Sequence, residues 1–500
     1  MSRLRTVGII LAAALLSAAC GTPVVNPVSG KAERSVMDER TEIAEGKKAH
    51  EEVMKEFGGP LANPRLQAYV NDIGQRLARQ SHRANLQWTF TVLDSPDVNA
   101  FALPGGYVYV TRGILAYMDS EADLAGVIGH EIGHVTARHG AQRATRQQRA
   151  GAGVMAATVL GVLVETVTGV QGAAQAANQM STGIAAGSIA SYSRDQELQA
   201  DQLGAEYLSR VGYSPKHMID VIALLKDQER FATDNARAQG KQAPQGGNWL
   251  ASHPSNDARL ESIRRIAESY KGPGTREEGQ QRFLQAIDGI TFGESREQGV
   301  VRGQNFFHEP LGLVLTAPAG WSFDNNPDEL YIINPQGDAA VLMKLVPPNA
   351  GKSHDEILRN SFKASQGRTE RKPVGGFEST YFVGQRQTQN NQTQPLEVTL
   401  VTGPGERTYA LIHAGRDAAT LQRNRATLRE ATASFRAFGV ADRAAARPWT
   451  LRTVAMPVGG FAELARRSPL GAQAERQLRL LNGVYSGGNI APGRAVKVVE

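Results

Sequence analysis

Apolar residues recur every three or four positions between Ser120 and Gly140. At about 100° per residue, Leu124, Ile128, Ile132 and Val135 form one stripe of a helix, and His130 and His134 lie roughly 135° away on another face. Ser120 is placed to cap the start, with Glu121 and Asp123 in the first turn. Arg138 and His139 in the last turn, followed by Gly140, mark the stop. Such a helix packs on a core with one side and lines a cleft with the other. Upstream, Asp38 to Glu56 has a charged helical pattern that Gly58-Gly59-Pro60 breaks. A second helix, about Pro64 to Gln80, buries Leu66, Val70, Ile73 and Leu77. The period then falls to two: Trp88 to Leu93 alternates, and so does Gly106 to Thr111, with Tyr107 and Tyr109 opposite Val108 and Val110.

Beyond the first helix, Ala150 to Val164 is an apolar run of fifteen residues, too short to span a bilayer. It reads as a buried helix pair or as a segment resting on a membrane surface. A helix follows from Ser193 to about Arg210. Residues 232–252 are a Gly/Gln/Ala-rich loop leading to His253-Pro254 and a further helix to about Tyr270. After a polar linker, 271–305, strands are expected at Gly312–Thr316, Glu329–Ile333, Ala339–Leu345, Ser379–Gln385, Glu397–Thr402 and Tyr409–Ala414. Helices are expected near 354–365 and 417–434, making an α+β domain with an antiparallel sheet over 306–440. The C-terminal stretch, 445–500, reads strand, helix, helix, strand.

Composition narrows the class. Five hundred residues suggest about three domains, and 41% hydrophobic with 21% charged residues belongs to a folded chain. The net charge of +6 is spread without a basic stripe, which argues against nucleic-acid binding. Arg3 and Arg5, the apolar Val7 to Leu16 and the small Ser17-Ala18-Ala19 read as a signal peptide over residues 1–19. Cys20 is the only cysteine, so no disulfide supports the fold. Its place resembles a bacterial lipoprotein signal, which implies lipidation of Cys20, a tether over residues 20–37 and, with Gly21 next, a position in the periplasm at the outer membrane. Plain secretion after Ala19 is the alternative.

The candidate chemistry sits in two stretches. His130, Glu131 and His134 have H-E-x-x-H spacing, which puts two imidazoles one above the other on a helix, within reach of one metal ion. Zinc bound by two histidines needs a third ligand and leaves a fourth position to water. Glu197 suits the third place, and Asp201, four residues on, suits a partner for the free ring N–H of a ligating histidine. Without the upstream motif, the same pair reads as a solvated helix face. His253 and Arg259 follow the long loop, where a gate or a transition-state stabiliser would lie, or simply a helix start. A strand such as Tyr107–Thr111, if at an edge beside the histidine helix, is placed to take an extended peptide; inside a sheet it has no such role.

Asn99-Ala100-Phe101-Ala102, Gly129-His130-Glu131-Ile132-Gly133-His134, Glu197-x-x-x-Asp201 and His253-Pro254 with Arg259 together resemble peptidase family M48 over residues 38–270. The resemblance implies a mainly helical zincin-like (gluzincin) metallopeptidase domain binding one zinc through His130, His134 and Glu197. Glu131 would be the general base and Asp201 the partner behind the ligands. Asn99, Ala100 and Phe101 would line the substrate, Arg259 would steady the oxyanion, and His253 would approach the metal and hold the enzyme off. The competing Met-turn class wants Gly and His where Ala137 and Gly140 stand. Leu480-Leu481-Asn482-Gly483 and Pro492-Gly493 resemble a LysM-like module, with Val458-Gly459-Gly460 replacing its usual turn; that implies peptidoglycan binding or a structural cap. Expected overall is an α+β chain acting as an exported zinc metalloendopeptidase on cell-envelope proteins. An assembly factor or chaperone with a latent protease site, and a peptidoglycan-associated binding protein, are the alternatives.

Overall fold

The computed structural model describes residues 22–35, 37–150, 192–238, 253, 257–269, 279–388 and 392–500. The signal segment, Cys20, nearly all of the 150–164 apolar run and most of the loop before His253 lie outside them. The described residues fall into two compact units, one taking 22–150, 192–292 and 450–500, the other 293–449. Among them, no helix is long and apolar enough to cross a membrane.

The first unit opens on a β-hairpin, β1 (Thr22–Val25) and β2 (Ala32–Ser35), in the stretch read as a tether. Helices α1 (Glu39–Glu56) and α2 (Pro64–Ala78) follow, capped by the side chains of Asp38 and Asn63. The apolar stripe of α2 (Leu66, Val70, Ile73, Leu77) is fully buried. Next come β3 (Thr89–Leu93), β4 (Ala100–Leu103) and β5 (Tyr107–Thr111), in the order β3-β5-β4, with β3 parallel and β4 antiparallel to β5. Tyr107–Thr111 is therefore the central strand, and Ala100–Leu103 is the edge. After the short α3 (Arg112–Tyr117), the histidine helix is α4 (Glu121–Thr136).

Every residue of α4 is buried, where the sequence suggested one core face and one cleft face. The reason is a row of small residues. Gly126, Gly129 and Gly133 carry no side chain; helix α6 (Arg194–Val211) lies against Gly129 and Gly133, and His217 and Met218 lie against Gly126. A Cβ on Gly133 would stand 2.7 Å from the Ala200 carbonyl oxygen, and one on Gly204 would stand 2.9 Å from the His130 nitrogen. The helix end also differs. Arg138, not Gly140, takes the left-handed conformation (φ 56°), held by its ion pair to Glu42 at 2.6 Å, and α5 (His139–Ala150) begins at once. Helices α7 (Lys216–Ala238) and α8 (Asp257–Ser269) complete the packing around α4 and α6.

The stretch read as linker carries α9 (Gln280–Ile287), β6 (Thr291–Phe292), β7 (Val300–Arg302) and β8 (Asn305–His308). Phe283, Leu284 and Ile287 give α9 a buried face that its glutamines disguise in a composition reading. The second unit continues with β9 (Leu313–Thr316), β10 (Ser322–Asn325), β11 (Glu329–Ile333), β12 (Ala339–Leu345), α10 (His354–Asn360), β13 (Ala364–Arg371), β14 (Glu378–Gln387), β15 (Thr393–Thr402), β16 (Thr408–Gly415), α11 (Ala418–Ala433) and β17 (Arg436–Ala437). Seven strands form an antiparallel sheet ordered β10-β11-β12-β16-β15-β14-β13, with α11 against β16 and β12. Leu330, Ile332, Val341, Leu411, Leu428 and Phe435 are buried between. Glu397, buried in this sheet, accepts hydrogen bonds from Tyr381 (2.6 Å) and Arg425 (3.1 Å) and lies 3.0 Å from His413 Nδ1.

The chain returns to the first unit with β18 (Trp449–Ala455), α12 (Gly460–Arg467), α13 (Ala474–Leu481) and β19 (Ala495–Val499), the strand-helix-helix-strand order read from the sequence. β18 pairs with β19 and with β6. This segment grips the turn just ahead of α4. The buried Lys497 donates to the Met118 carbonyl at 2.6 Å and pairs with Asp119 at 2.9 Å, and Gln477 donates to the Tyr117 hydroxyl at 2.6 Å.

Two expectations follow. Gly204→Ala drives a Cβ into backbone on the facing helix, so it should lower stability by about 1–3 kcal/mol. Gly126→Ala places its Cβ 3.4 Å from the flexible Met218 side chain and 3.6–3.7 Å from the backbone of His217 and Met218, ordinary contact distances, so it should be neutral or stabilising by up to about 1 kcal/mol; denaturant titration of both variants compares them. Glu121 and Glu397 are each held down to about 2: burial raises both, but hydrogen bonds led by Tyr213 on Glu121 and His413 on Glu397 outweigh it. A carboxylate with a depressed folded pKa stabilises above its unfolded value and loses that contribution as pH falls through the folded one. Stability should therefore drop between about pH 5 and 2, and Glu121→Gln should flatten that drop in thermal melts across the range.

Candidate metal centre

The start of α4 is fixed from three sides. Ser120 Oγ accepts from the Asp123 amide at 3.2 Å. The Glu121 carboxylate receives Tyr69 at 2.9 Å, Arg76 at 3.1 Å, Arg282 at 3.3 Å and the Tyr213 hydroxyl. With the helix so anchored, His130 and His134 project together, their Nε2 atoms 3.0 Å apart. A capping box of Ser193 and Gln196 starts α6 and leaves Glu197 in its first turn. Its Oε2 lies 3.6 Å from His130 Nε2 and its Oε1 3.5 Å from His134 Nε2. His253 closes the group from the far end of the long loop, its Nδ1 3.1 Å from Glu197 Oε1 and 3.2 Å from His130 Nε2.

These four donors suit one cation. Four donors set tetrahedrally 2.0–2.1 Å from one ion stand about 3.3 Å from each other, and the five separations above run from 3.0 to 3.6 Å. Nitrogen and carboxylate oxygen are the donors that zinc and its first-row neighbours take. The charge agrees as well. Glu131, Glu197 and Asp201 are buried carboxylates, and Arg259 is the buried guanidinium beside them. Carboxylates outnumber the guanidinium, an imbalance that a bound cation would reduce.

Burial is the largest cause of shift in each of these groups, and the neighbouring charges either oppose it or add to it. Burial raises Asp201, but the Arg259 charge and its hydrogen bonds, with His130, bring it down to about 2. Burial raises Glu197 too, and His253, His130 and Arg259 hold it below its ordinary value. Burial and the neighbouring imidazoles keep His134 well below its ordinary value, so its lone pair is free for a metal. Burial lowers His253, yet Glu197 and Glu131 outweigh that and raise it.

All seven residues expected from the H-E-x-x-H, E-x-x-x-D and His253/Arg259 segments meet in this one buried cluster. Glu131, completely buried, has Oε1 3.4 Å from His253 Nε2. Asp201 lies 2.9 Å from His130 Nδ1 and takes Arg259 in a two-pronged contact of 2.7 and 2.8 Å. Arg259 also pairs with Glu197 at 2.7 Å and donates to the His253 carbonyl at 3.1 Å, so it acts on the site through those three residues. Ala100 and Phe101 lie on edge strand β4 beside α4, with Asn99 just before it. The Phe101 ring turns inward onto Tyr109, 4.7 Å between centroids.

Three residues near the cluster escaped sequence reading. Tyr192 stacks on His134 at 3.8 Å between ring centroids. His139 Nδ1 lies 2.9 Å from His134 Nδ1, and His139 Nε2 lies 3.1 Å from Gln199 Oε1. Helical periodicity turns residue 139 away from residue 134; the Arg138 kink brings it back. Gln199 sits two residues from both Glu197 and Asp201, on what a helical wheel makes the wrong face.

Comparison with known proteins agrees with this geometry. The chain is 31% identical over 211 residues to the beta-barrel assembly-enhancing protease of Yersinia pestis, covering 42% of this chain and 41% of that protein. The protein of the same name from Escherichia coli K12 gives 31% over 213 residues with the same coverage. Mitochondrial metalloendopeptidase OMA1 of Arabidopsis thaliana gives 32% over 183 residues, 36% of this chain and 32% of that one. The match thus spans well under half of each relative. A solution structure of cyanobacterial PsbP from Synechocystis aligns over 29% of this chain and 98% of its own, at 12% identity and a TM-score of 0.21, too distant to bear on either unit. Residues 64–267 match Peptidase family M48. With the buried His130, His134 and Glu197 inside those bounds, this part of the chain is a peptidase family M48 domain.

Proposed function

We propose that the protein is a zinc-dependent metalloendopeptidase of the bacterial cell envelope, exported and anchored through Cys20 at the outer membrane, and that it hydrolyses envelope proteins. The observation that carries the reading is the buried donor set His130, His134 and Glu197 with the Glu131 carboxylate beside it. The leader-like first nineteen residues and the name shared by the bacterial relatives support the location.

Bound zinc would supply a Lewis acid and bring the pKa of a water towards about 7. Glu131 takes the proton of the attacking water and returns it to the leaving amine. Asp201 holds the His130 ring in place, and Arg259 holds Asp201 and Glu197. Edge strand β4 offers its backbone to an extended substrate along Asn99, Ala100 and Phe101.

His253 would take the ligand place that a metal-bound water needs. Its Nδ1 sits among the metal donors while its Nε2 faces Glu131, so one imidazole ties up both the fourth ligand place and the general base. That contact favours a second reading, an envelope assembly factor whose protease is latent until His253 withdraws. The C-terminal strand-helix-helix-strand segment serves as a cap on the peptidase unit more naturally than as a glycan binder, because Arg476, Gln477, Tyr485 and Lys497 face that unit.

Glu131→Gln should keep one zinc per chain and lose casein cleavage by about 10²–10⁴-fold; full cleavage by that variant would end the assignment. Casein cleavage by the wild type should vanish with a chelator and return with zinc. His253→Ala should retain zinc, since three protein ligands remain, and cleave casein faster than the wild type. Equal or slower cleavage with zinc in place would remove His253 as the latch.

A further inference from the structure

The two histidines of α4 are held from behind by different means. Behind His130 stand a carboxylate and a guanidinium, Asp201 and Arg259. Behind His134, the contacts among the described residues run through an imidazole and two side-chain amides. His134 Nδ1 meets His139 Nδ1 at 2.9 Å, His139 Nε2 meets Gln199 Oε1 at 3.1 Å, and Asn26 Nδ2 donates to the same Gln199 oxygen at 2.9 Å. Asn26 belongs to the turn between β1 and β2, far away in sequence. It is 3% exposed.

The protons in this chain have one consistent order. An imidazole that gives its Nε2 lone pair to a metal carries hydrogen on Nδ1. His134 Nδ1–H then donates to His139 Nδ1, which leaves the His139 hydrogen on Nε2, where it meets the Gln199 oxygen. The hairpin decides which way round Asn26 points. Its Oδ1 accepts from the Val28 and Ser29 amides at 2.9 and 3.1 Å, so its NH₂ is the group turned inward. That NH₂ requires an oxygen from Gln199, and an oxygen there requires the Nε2–H form of His139. The order set by the hairpin is the one a metal-ligating His134 needs.

We infer that His139, Gln199 and Asn26 form a positioning relay for His134, so that the N-terminal hairpin is an outlying part of the metal site. His139 is available to the relay because Arg138 adopts the left-handed turn, fixed by Glu42 at 2.6 Å and by the Met37 carbonyl at 3.3 Å. Met37 lies between the hairpin and α1, and Glu42 lies in the first turn of α1, so both anchors follow directly on the hairpin in the chain. If Cys20 carries a lipid, the anchor is six residues from Asn26 in sequence.

The inference rests on His134 being a metal ligand, and the experiment separates the two. Zinc affinity of the full chain is measured by chelator competition, and the cobalt-substituted protein gives a d–d spectrum that reports ligand geometry. His139→Leu removes the acceptor and should weaken zinc about 10- to 100-fold and shift the cobalt bands. His139→Asn, with an amide oxygen to face His134, should recover part of the loss. Asn26→Asp keeps the Oδ1 that closes the hairpin turn but puts an acceptor opposite the Gln199 oxygen. It should weaken zinc about fivefold with little change in the thermal midpoint of the metal-free protein. Wild-type affinity within twofold in both His139→Leu and Asn26→Asp, with unshifted cobalt bands, would overturn the relay while leaving the metal site intact. Failure of the wild type to bind zinc would overturn the metal reading, and the relay with it.

Discussion

The close approach of α4 and α6 is the constraint on which the rest of the site depends. His130 and His134 come from one helix, Glu197 and Asp201 from the other, and the donors meet only because the helix backbones nearly touch. Gly129 and Gly133 on one side and Gly204 on the other make that contact possible, with no room left for a Cβ at Gly133 or Gly204. Small residues at helix seams usually serve packing; here they also set the donor spacing. The H-E-x-x-H motif is thus half of a site whose other half is held in register by absent side chains.

Burying so much charge requires compensation, and the compensation is layered. Arg259 bridges Asp201 and Glu197, and His253 lies between Glu197 and Glu131. Breaking one member of such a group would leave a buried charge unpaired, which costs more than the pair contributes. The same logic governs the foot of α4, where two tyrosines and two arginines converge on Glu121. The second unit repeats it on a smaller scale around Glu397. These groups hold elements at defined angles, a task that apolar contacts do less selectively.

Elements distant in sequence enclose the metal helix. The C-terminal segment reaches the turn before it through Lys497 and Gln477, and the N-terminal hairpin reaches the back of His134 through Asn26. The described ends of the chain therefore both bear on the same helix, at opposite ends of it.

Local chemistry was enough to reveal most of the pieces. Spacing marked His130, Glu131 and His134; the capping Ser120 marked where α4 begins; period-two runs found Glu329–Ile333 and Ala339–Leu345 to the residue. Such features depend on residues within one or two turns of each other, which a linear pattern records. The burial of α4 on every side, the hairpin in a supposed tether, the helix in a supposed linker and the His139–Gln199–Asn26 chain were not legible. Each depends on a partner far away in sequence or on a single backbone dihedral, as at Arg138, that reverses where a side chain points. The sequence alone determined which groups could bind a metal. Only the tertiary structure decided which of them face each other, because that depends on how closely two backbones can approach, and no linear spacing encodes it.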